Sequence, residues 1–397
     1  MSALNALAQR TLLAAASRWR VGTLHVRLPD GQERVFGTTG TEPSARIDIR
    51  DAVFFRHLLL RGELGFGEAF VAGEWSSPAL VGMLCAAAAN RGALAVADAW
   101  WRPIAQMWDR RRHRTRRNTL DRSRENIEAH YDLGNDLYRL FLDPTMTYSS
   151  GVFTSSTATL QEAQIEKYRR IAALAGIQPG ANVLEIGGGW GGFAMYAAET
   201  LGCRVTTTTL SPAQQSLARE RICSRGLQDR IDVQLVDYRR VVGRYDAVVS
   251  IEMLEAVGSE YYEAFFEACD RALRPGGRIG LQVITVPDRA YERKRRGVNW
   301  IQRYIFPGGL LPSLAAIERA LARTELRLTS VDDIASSYVR TLRLWRERFL
   351  AEADRVRALG FDERFVRTWT YYLAISEAGF AEGVTQDLQI GMVKAGG

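Results

Sequence analysis

The spacing of hydrophobic and polar positions divides this chain into parts of different character. From about residue 180, short apolar runs near 182–186, 203–208, 231–236, 245–250 and 277–284 alternate with stretches of helical period. That series predicts a doubly wound α/β domain around a mostly parallel sheet. Residues 24–28 and 33–36 instead alternate with period two around Pro29-Asp30-Gly31, as a hairpin does, and 46–49 reads as a third strand. With helices over 51–60 and 78–97, residues 1–100 form a small α+β unit. Helices are also predicted over 125–142, 161–175, 338–359 and 362–380, and 388–393 is strand-like. The stretch 286–312 is long and mixed, so it reads as a lid inserted in a domain running from 125 to 397.

The apolar run Val183 to Ile186 leads into Gly187-Gly188-Gly189-Trp190-Gly191-Gly192 and then a helical stretch from Phe193. A strand, a tight glycine turn and a helix start bring backbone N–H groups close to a polar ligand. An ordinary βα turn is the plainest alternative. Gly187, Gly189 and Gly192 also satisfy the dinucleotide fingerprint, which expects an acid about 20 residues on, at the end of the next strand. That strand ends neutral, at Thr209. Glu185 before the glycines and Asp237-Tyr238 after the third strand suit S-adenosylmethionine (SAM) better.

Charge and composition narrow the picture. The 397 residues are 47% apolar and 24% charged, as in a folded water-facing protein, and no run approaches the ~20 apolar residues of a membrane span. Four separated cysteines and four scattered histidines give neither a disulfide framework nor a metal-ligand spacing, so a reduced cytoplasmic protein without a metal site is expected. The net charge of +7 is concentrated. Six arginines fall within Arg110–Arg117, in a basic linker at 101–124, and Arg289, Arg293, Lys294, Arg295 and Arg296 form a second cluster. Such blocks bind polyanions, either nucleic acid or an anionic membrane.

Seven pieces in order make the chemistry more specific: Tyr131-Asp132-Leu133-Gly134-Asn135-Asp136, Met146-Thr147-Tyr148-Ser149, the Gly187–Gly192 turn, Thr209-Leu210-Ser211-Pro212-Ala213-Gln214, Met253-Leu254-Glu255-Ala256-Val257-Gly258, Tyr304-Ile305-Phe306-Pro307-Gly308-Gly309 and Thr370-Tyr371-Tyr372-Leu373. Together they resemble the cyclopropane-fatty-acid synthase family of SAM-dependent methyltransferases. The resemblance runs from about residue 125 to the end and extends faintly to 62–75. It implies a seven-stranded class I methyltransferase sheet and one-carbon transfer to the double bond of an unsaturated phospholipid acyl chain. By motif match, Tyr148, Ser149, Gly187 and Gly189 would hold the methionine end of SAM. Thr209, Leu210 and Gln214 would shape the ribose–adenine side, with Tyr238 against the adenine, and Glu185, Trp190 and Gly191 complete the cofactor set. Glu255 matches the family's active-site glutamate and Tyr338 its tyrosine, which in relatives help hold a bicarbonate ion acting as base. A plain reading of Glu255 is an acid at a helix N-terminus.

Departures from the family pattern bear on the product. Ser150 stands where ring-forming members carry cysteine and Gln282 where they carry histidine, whereas Ile284 matches; Ser376 replaces a second cysteine. A thiol nucleophile is therefore excluded at both places. An extra carboxylate, Glu252, lies three residues before Glu255, an interval that would put both on one helical face and make Glu252 a candidate base or cation stabiliser. The wording of 251–257 and 301–304 resembles the tuberculostearic-acid-type branch, so a methylene- or methyl-branched product is expected, with cyclopropane as the alternative. The partners implied are unsaturated phospholipid at an anionic surface, a reductase acting on the product, and a second copy in a dimer. Peripheral association with the inner face of the membrane follows, as does an apolar tunnel near Glu255 and Tyr338. A small-molecule methyltransferase leaves the basic clusters and the lid region unexplained. A nucleic-acid methyltransferase would want an Asn-Pro-Pro-Tyr-like signature, which is absent. A non-enzymatic lipid-binding protein would not need the SAM contacts.

Overall fold

The computed structural model describes residues 3–38, 40–94 and 133–396. The basic stretch 101–124, with Arg110–Arg117, lies outside them, as do Tyr131 and Asp132. The chain separates into two compact units. One comprises Met1–Thr115, Arg296–Ile305 and Phe349–Val384; the other comprises Arg116–Arg295, Phe306–Arg348 and Thr385–Gly397. This division differs from the 1–100 and 125–397 split read from the sequence. The reason is visible in the first unit: Arg367 donates to the Phe70 carbonyl at 2.7 Å. A methyl group on Gly67 would sit 2.5 Å from Trp300 and 2.7 Å from Tyr371, so these distant segments close on a residue without a side chain.

In the first unit, helix α1 (Ala3–Ala16) precedes β1 (Thr23–Arg27), β2 (Glu33–Gly37), β3 (Ser44–Ile49), α2 (Val53–Val71), β4 (Trp75–Ser76) and α3 (Leu80–Ala89). The hairpin and third strand form a sheet of order β2-β1-β3-β4, with β1 and β3 parallel. The segment 62–70 is helical too, continuing α2 across a kink where Gly62 has φ 55°.

The second unit opens with α4 (Asn135–Phe141) and α5 (Leu160–Leu174). The helix expected over 125–142 is broken in its described part, because Gly134 has φ 87° and only the next residue begins α4. Thereafter come β5 (Asn182–Ile186), α6 (Gly192–Thr200), β6 (Arg204–Thr209), α7 (Pro212–Ser224), β7 (Ile231–Leu235), β8 (Tyr245–Ile251), α8 (Tyr262–Ala272) and β9 (Leu273–Thr285). Beyond β9 the chain continues through α9 (Asp288–Arg295), α10 (Trp300–Tyr304), α11 (Leu314–Leu321), β10 (Leu326–Asp333), α12 (Ala335–Ala351), α13 (Glu363–Ala381) and β11 (Gln386–Lys394), of which α10 and α13 belong to the first unit. Strand β10 has no counterpart in the sequence reading: its outer positions are exposed, so it lacks an apolar run. The helix expected over 338–359 begins earlier and ends at Ala351, before a separate short helix at Ala353–Ala358.

The seven strands run β10-β11-β9-β8-β5-β6-β7. Pairing is parallel from β9 through β7, while β11 is antiparallel to both neighbours. Strand residues alternate between two cores: Val183, Ala247 and Val249 face one, Leu184, Val248 and Leu281 the other. Burial on both faces explains the continuous apolar runs. The strand order reverses between β5 and β8, and a ligand crevice forms beyond the carboxyl ends of strands at such a point. The Gly187–Gly192 turn leaves β5 there and Glu252 leaves β8.

Candidate active site

At that crevice lies a solvent-connected cleft of about 150 Å³. Tyr148, Ser149, Glu185, Gly187, Gly189, Trp190, Thr209, Leu210, Gln214 and Tyr238 all line it. Gly191 does not line it; its φ of 82° turns the chain into α6. The turn passes close to its neighbours, since a side-chain carbon on Gly187 would lie 2.7 Å from Met253. On the far wall the N-cap of α7, Ser211, accepts the Gln214 N–H, with Pro212 at the first helical position. Thr209 donates its hydroxyl to the Gln214 side chain at 2.8 Å, so the pair presents a fixed polar edge. The Tyr238 ring lines the cleft, packed edge-on against Phe265 and under the Arg239 guanidinium. Glu185 accepts the Thr207 hydroxyl at 2.6 Å; burial pushes its carboxyl up to about 7, against the pull of Thr207 and Lys167.

Two polar groups that hold Ser149 carry no signal in the motifs. Lys167, on α5, is fully buried and donates its Nζ to the Ser149 Oγ at 2.7 Å. Burial pulls its ammonium down to about 8, opposed by Glu252, Asp143, Asp387 and Glu185. Gln164, one turn earlier, donates to the Ser149 carbonyl at 2.9 Å. The signal available was polar residues on the apolar face of an amphipathic helix.

The catalytic candidates converge on Glu252. Its Oε1 accepts the Ser150 backbone N–H at 2.8 Å and the Gln282 Nε2 at 2.8 Å, and its Oε2 accepts the Tyr338 hydroxyl at 2.7 Å. Gln282 is oriented by Gln389, which donates to its Oε1 at 2.9 Å, and its Nε2 also lies 3.2 Å from Asp387 Oδ2. Ser150 therefore meets Glu252 through its backbone, and its hydroxyl donates instead to the Gly151 carbonyl. Of this set only Glu252 is a wall of the cleft, beside Ile251 and Met253.

Glu252 and Glu255 do not share a helical face. Glu252 has φ 49°, and only the single turn Leu254–Ala256 is helical. Glu252 and Met146, both lining the cleft, are the non-glycine residues with positive φ among the described residues. Such strain persists where surrounding contacts over-determine it, commonly at functional sites. The Glu255 carboxyl turns inward: Oε1 accepts the Ile284 backbone N–H and Oε2 is enclosed without a partner, although the residue as a whole keeps some exposure. Burial, then the nearby Glu252 charge, pushes it up to about 8. Asp387, just before the strand-like run noted in the sequence, is pushed well up by burial and then by Glu252 and Glu255. These three carboxyls compensated by Lys167 cannot all ionise. Burial pushes the Glu252 carboxyl up as well, but Tyr338, the Ser150 N–H, Lys167 and Gln282 all oppose the shift, so of the three this carboxyl has the most groups favouring its charge. No group of three or more His, Cys, Asp or Glu suited to a metal occurs among the described residues.

The sheet order, with its last strand antiparallel, and the glycine cradle at the reversal point define a class I SAM-dependent methyltransferase. A profile for mycolic acid cyclopropane synthetase matches residues 118–390. The chain is 43% identical to tuberculostearic acid methyltransferase UfaA1 of Mycobacterium tuberculosis, over 89% of this chain and 84% of the relative. It is 33% identical to the cyclopropane-fatty-acyl-phospholipid synthase of Escherichia coli, over 89% and 88%. Among solved structures, mycolic acid cyclopropane synthase CmaA1 complexed with SAH and CTAB superposes with a TM-score of 0.64 at 32% identity, covering 68% of this chain and 98% of that one. The chain belongs to the mycolic acid cyclopropane synthetase family.

Proposed function

We propose that this methyltransferase adds a one-carbon unit to the double bond of an unsaturated phospholipid acyl chain and releases a methylene-branched product. The observation that carries the reading is the Glu252 carboxylate, held by three donors on the wall of the SAM cleft. The likeness to the tuberculostearic acid methyltransferase supports it. Tyr148, Ser149 and the Gly187–Gly189 backbone hold the methionine end of SAM, and Thr209, Gln214 and Tyr238 hold the nucleoside end. Bound SAM supplies an electrophilic methyl group. The alkene's π pair takes up that methyl as its bond to sulfur breaks and S-adenosylhomocysteine leaves, and the cation left on the neighbouring carbon is stabilised by the Glu252 carboxylate. A hydride moves from the methyl-bearing carbon to the cationic one. Glu252 then accepts a proton from the methyl, and the freed C–H pair becomes the double bond of the methylene branch. Glu255 positions this wall through Ile284 and through its own carbonyl, which accepts the Leu310 N–H at 2.9 Å.

Proton loss without the hydride shift would close a cyclopropane, the reading that the Escherichia coli relative favours. The exposed arginines of α9 and Arg296, with the 101–124 stretch, bring the protein to the anionic cytoplasmic face of a membrane. No helix among the described residues is long and apolar enough to cross one. The N-terminal unit serves lipid handling or dimerisation, and a reductase consumes the methylene product. Incubation with SAM and oleoyl-phospholipid vesicles, with the fatty acids read by NMR, tests the reading. Vinylidene protons are expected; upfield cyclopropane protons transfer it to ring closure, and no lipid product despite SAM binding overturns it.

A further inference from the structure

The groups around Glu252 form a cradle for a planar anion. One backbone N–H, one amide and one phenol converge on its two oxygens at 2.7–2.8 Å. The donors come from the loop before α5, from β9 and from α12, and the amide is pinned from behind by Gln389. A free carboxylate-like ion, such as the bicarbonate implied by the family resemblance, would need these same donors. They are already taken by a side chain of this protein. A second anion nearby would face the Glu255 and Asp387 carboxyls as well as Glu252, with Lys167, bonded to Ser149, as compensating charge. The site as built does not accommodate bicarbonate.

We propose that Glu252 replaces the dissociable bicarbonate of the family with a covalently attached carboxylate, so that turnover is independent of dissolved bicarbonate. The left-handed backbone at Glu252 supports this. A φ of 49° is easy for glycine and unusual for glutamate, so the side chain is held there by its oxygens rather than by backbone preference. The same fact makes Glu252→Gly a clean test. Glycine suits the backbone, frees the donors, and leaves space the size of the lost carboxylate.

The inference rests on the proposed reaction, but its test does not depend on turnover alone. With SAM and oleoyl-phospholipid vesicles, wild-type rates are expected to change less than about twofold between buffer purged of carbon dioxide and buffer with millimolar bicarbonate. Glu252→Gly is expected to lose on the order of a hundredfold in purged buffer, as for loss of a catalytic base, and to regain at least about tenfold with bicarbonate. In parallel, 13C-bicarbonate is titrated into each protein's complex with S-adenosylhomocysteine and followed by NMR. Binding to Glu252→Gly but not to wild type supports the replacement. Wild-type activity that collapses on purging and returns with bicarbonate, or wild-type binding of the labelled ion, overturns it. A Glu252→Gly protein that keeps its affinity for S-adenosylhomocysteine but neither binds nor responds to bicarbonate also overturns it. If wild type forms no lipid product at all, the proposed reaction fails, while the titration still decides this inference.

Discussion

Exchanging Glu252 for glutamine replaces one oxygen by an amide nitrogen and removes one charge, which makes it the sharpest perturbation of this site. The retained amide oxygen can go on accepting from the Ser150 N–H and the Gln282 amide, both 2.8 Å away. The new amide nitrogen then donates to Tyr338, whose hydroxyl rotates from donor to acceptor. Three charge-assisted bonds become neutral, a loss of about 1 kcal/mol each, while the desolvation cost of a buried charge, several kcal/mol, is removed. Net stability is therefore expected to stay within about 1 kcal/mol of wild type. Affinity for SAM, whose cradle lies on the other walls, is expected to stay within about threefold. The rate, however, loses both the cation's counter-charge and the proton acceptor, a decrease of roughly 100- to 10,000-fold. Initial rates of S-adenosylhomocysteine formation on vesicles, with the affinity measured by calorimetry, separate these effects. A variant within about tenfold of the wild-type rate at unchanged SAM affinity would refute the role assigned to Glu252.

Three further outcomes are expected. Gly188→Ala places a methyl group on the Thr207 hydroxyl and the Glu185 carboxylate, so the turn must shift; at about 1–3 kcal/mol, SAM affinity in a calorimeter falls roughly tenfold or more. Glu255 has a carboxyl raised from 4.5 to about 8, chiefly by burial, so its contribution to stability is fully present below 4.5 and is lost as pH rises through 8. Glu255→Gln removes that titration, so denaturation from pH 4.5 to 8 should show a smaller loss than wild type, the gap being up to about 4–5 kcal/mol; parallel curves would contradict the buried acid. Replacing the exposed Arg289 and Arg293 by glutamine should weaken binding to anionic vesicles by about 1 kcal/mol, or fivefold, each. That binding should also fall with salt, and salt-insensitive sedimentation with vesicles would argue against surface attraction.

What the sequence determined by itself was whatever short-range chemistry writes into neighbouring residues. The five parallel strands were legible because burial on both faces favours apolar runs such as Val183–Leu184 and Ala247–Val249, interrupted by few polar residues. The glycine turn after β5 was legible because a tight turn demands glycine, and the cap before α7 because it demands a residue such as Ser211. Strand β10 escaped because exposed positions need no apolar pattern, and the helix at 125–142 was overextended because Gly134 resembles an ordinary helical glycine until its φ is seen. Tertiary structure alone decided which candidates act together. Ser150, Glu252, Gln282 and Tyr338 are separated by as many as 188 residues yet meet within hydrogen-bond distance of one carboxylate. Sequence spacing suggested instead a helical pairing of Glu252 with Glu255. The backbone turns left-handed between strand and turn, and that local geometry sends one carboxylate to the cleft and the other toward Ile284. Lys167 and Asp387 were hidden for the same reason: the identity of a buried charge is local, but its partner is set only when distant strands and helices close around it.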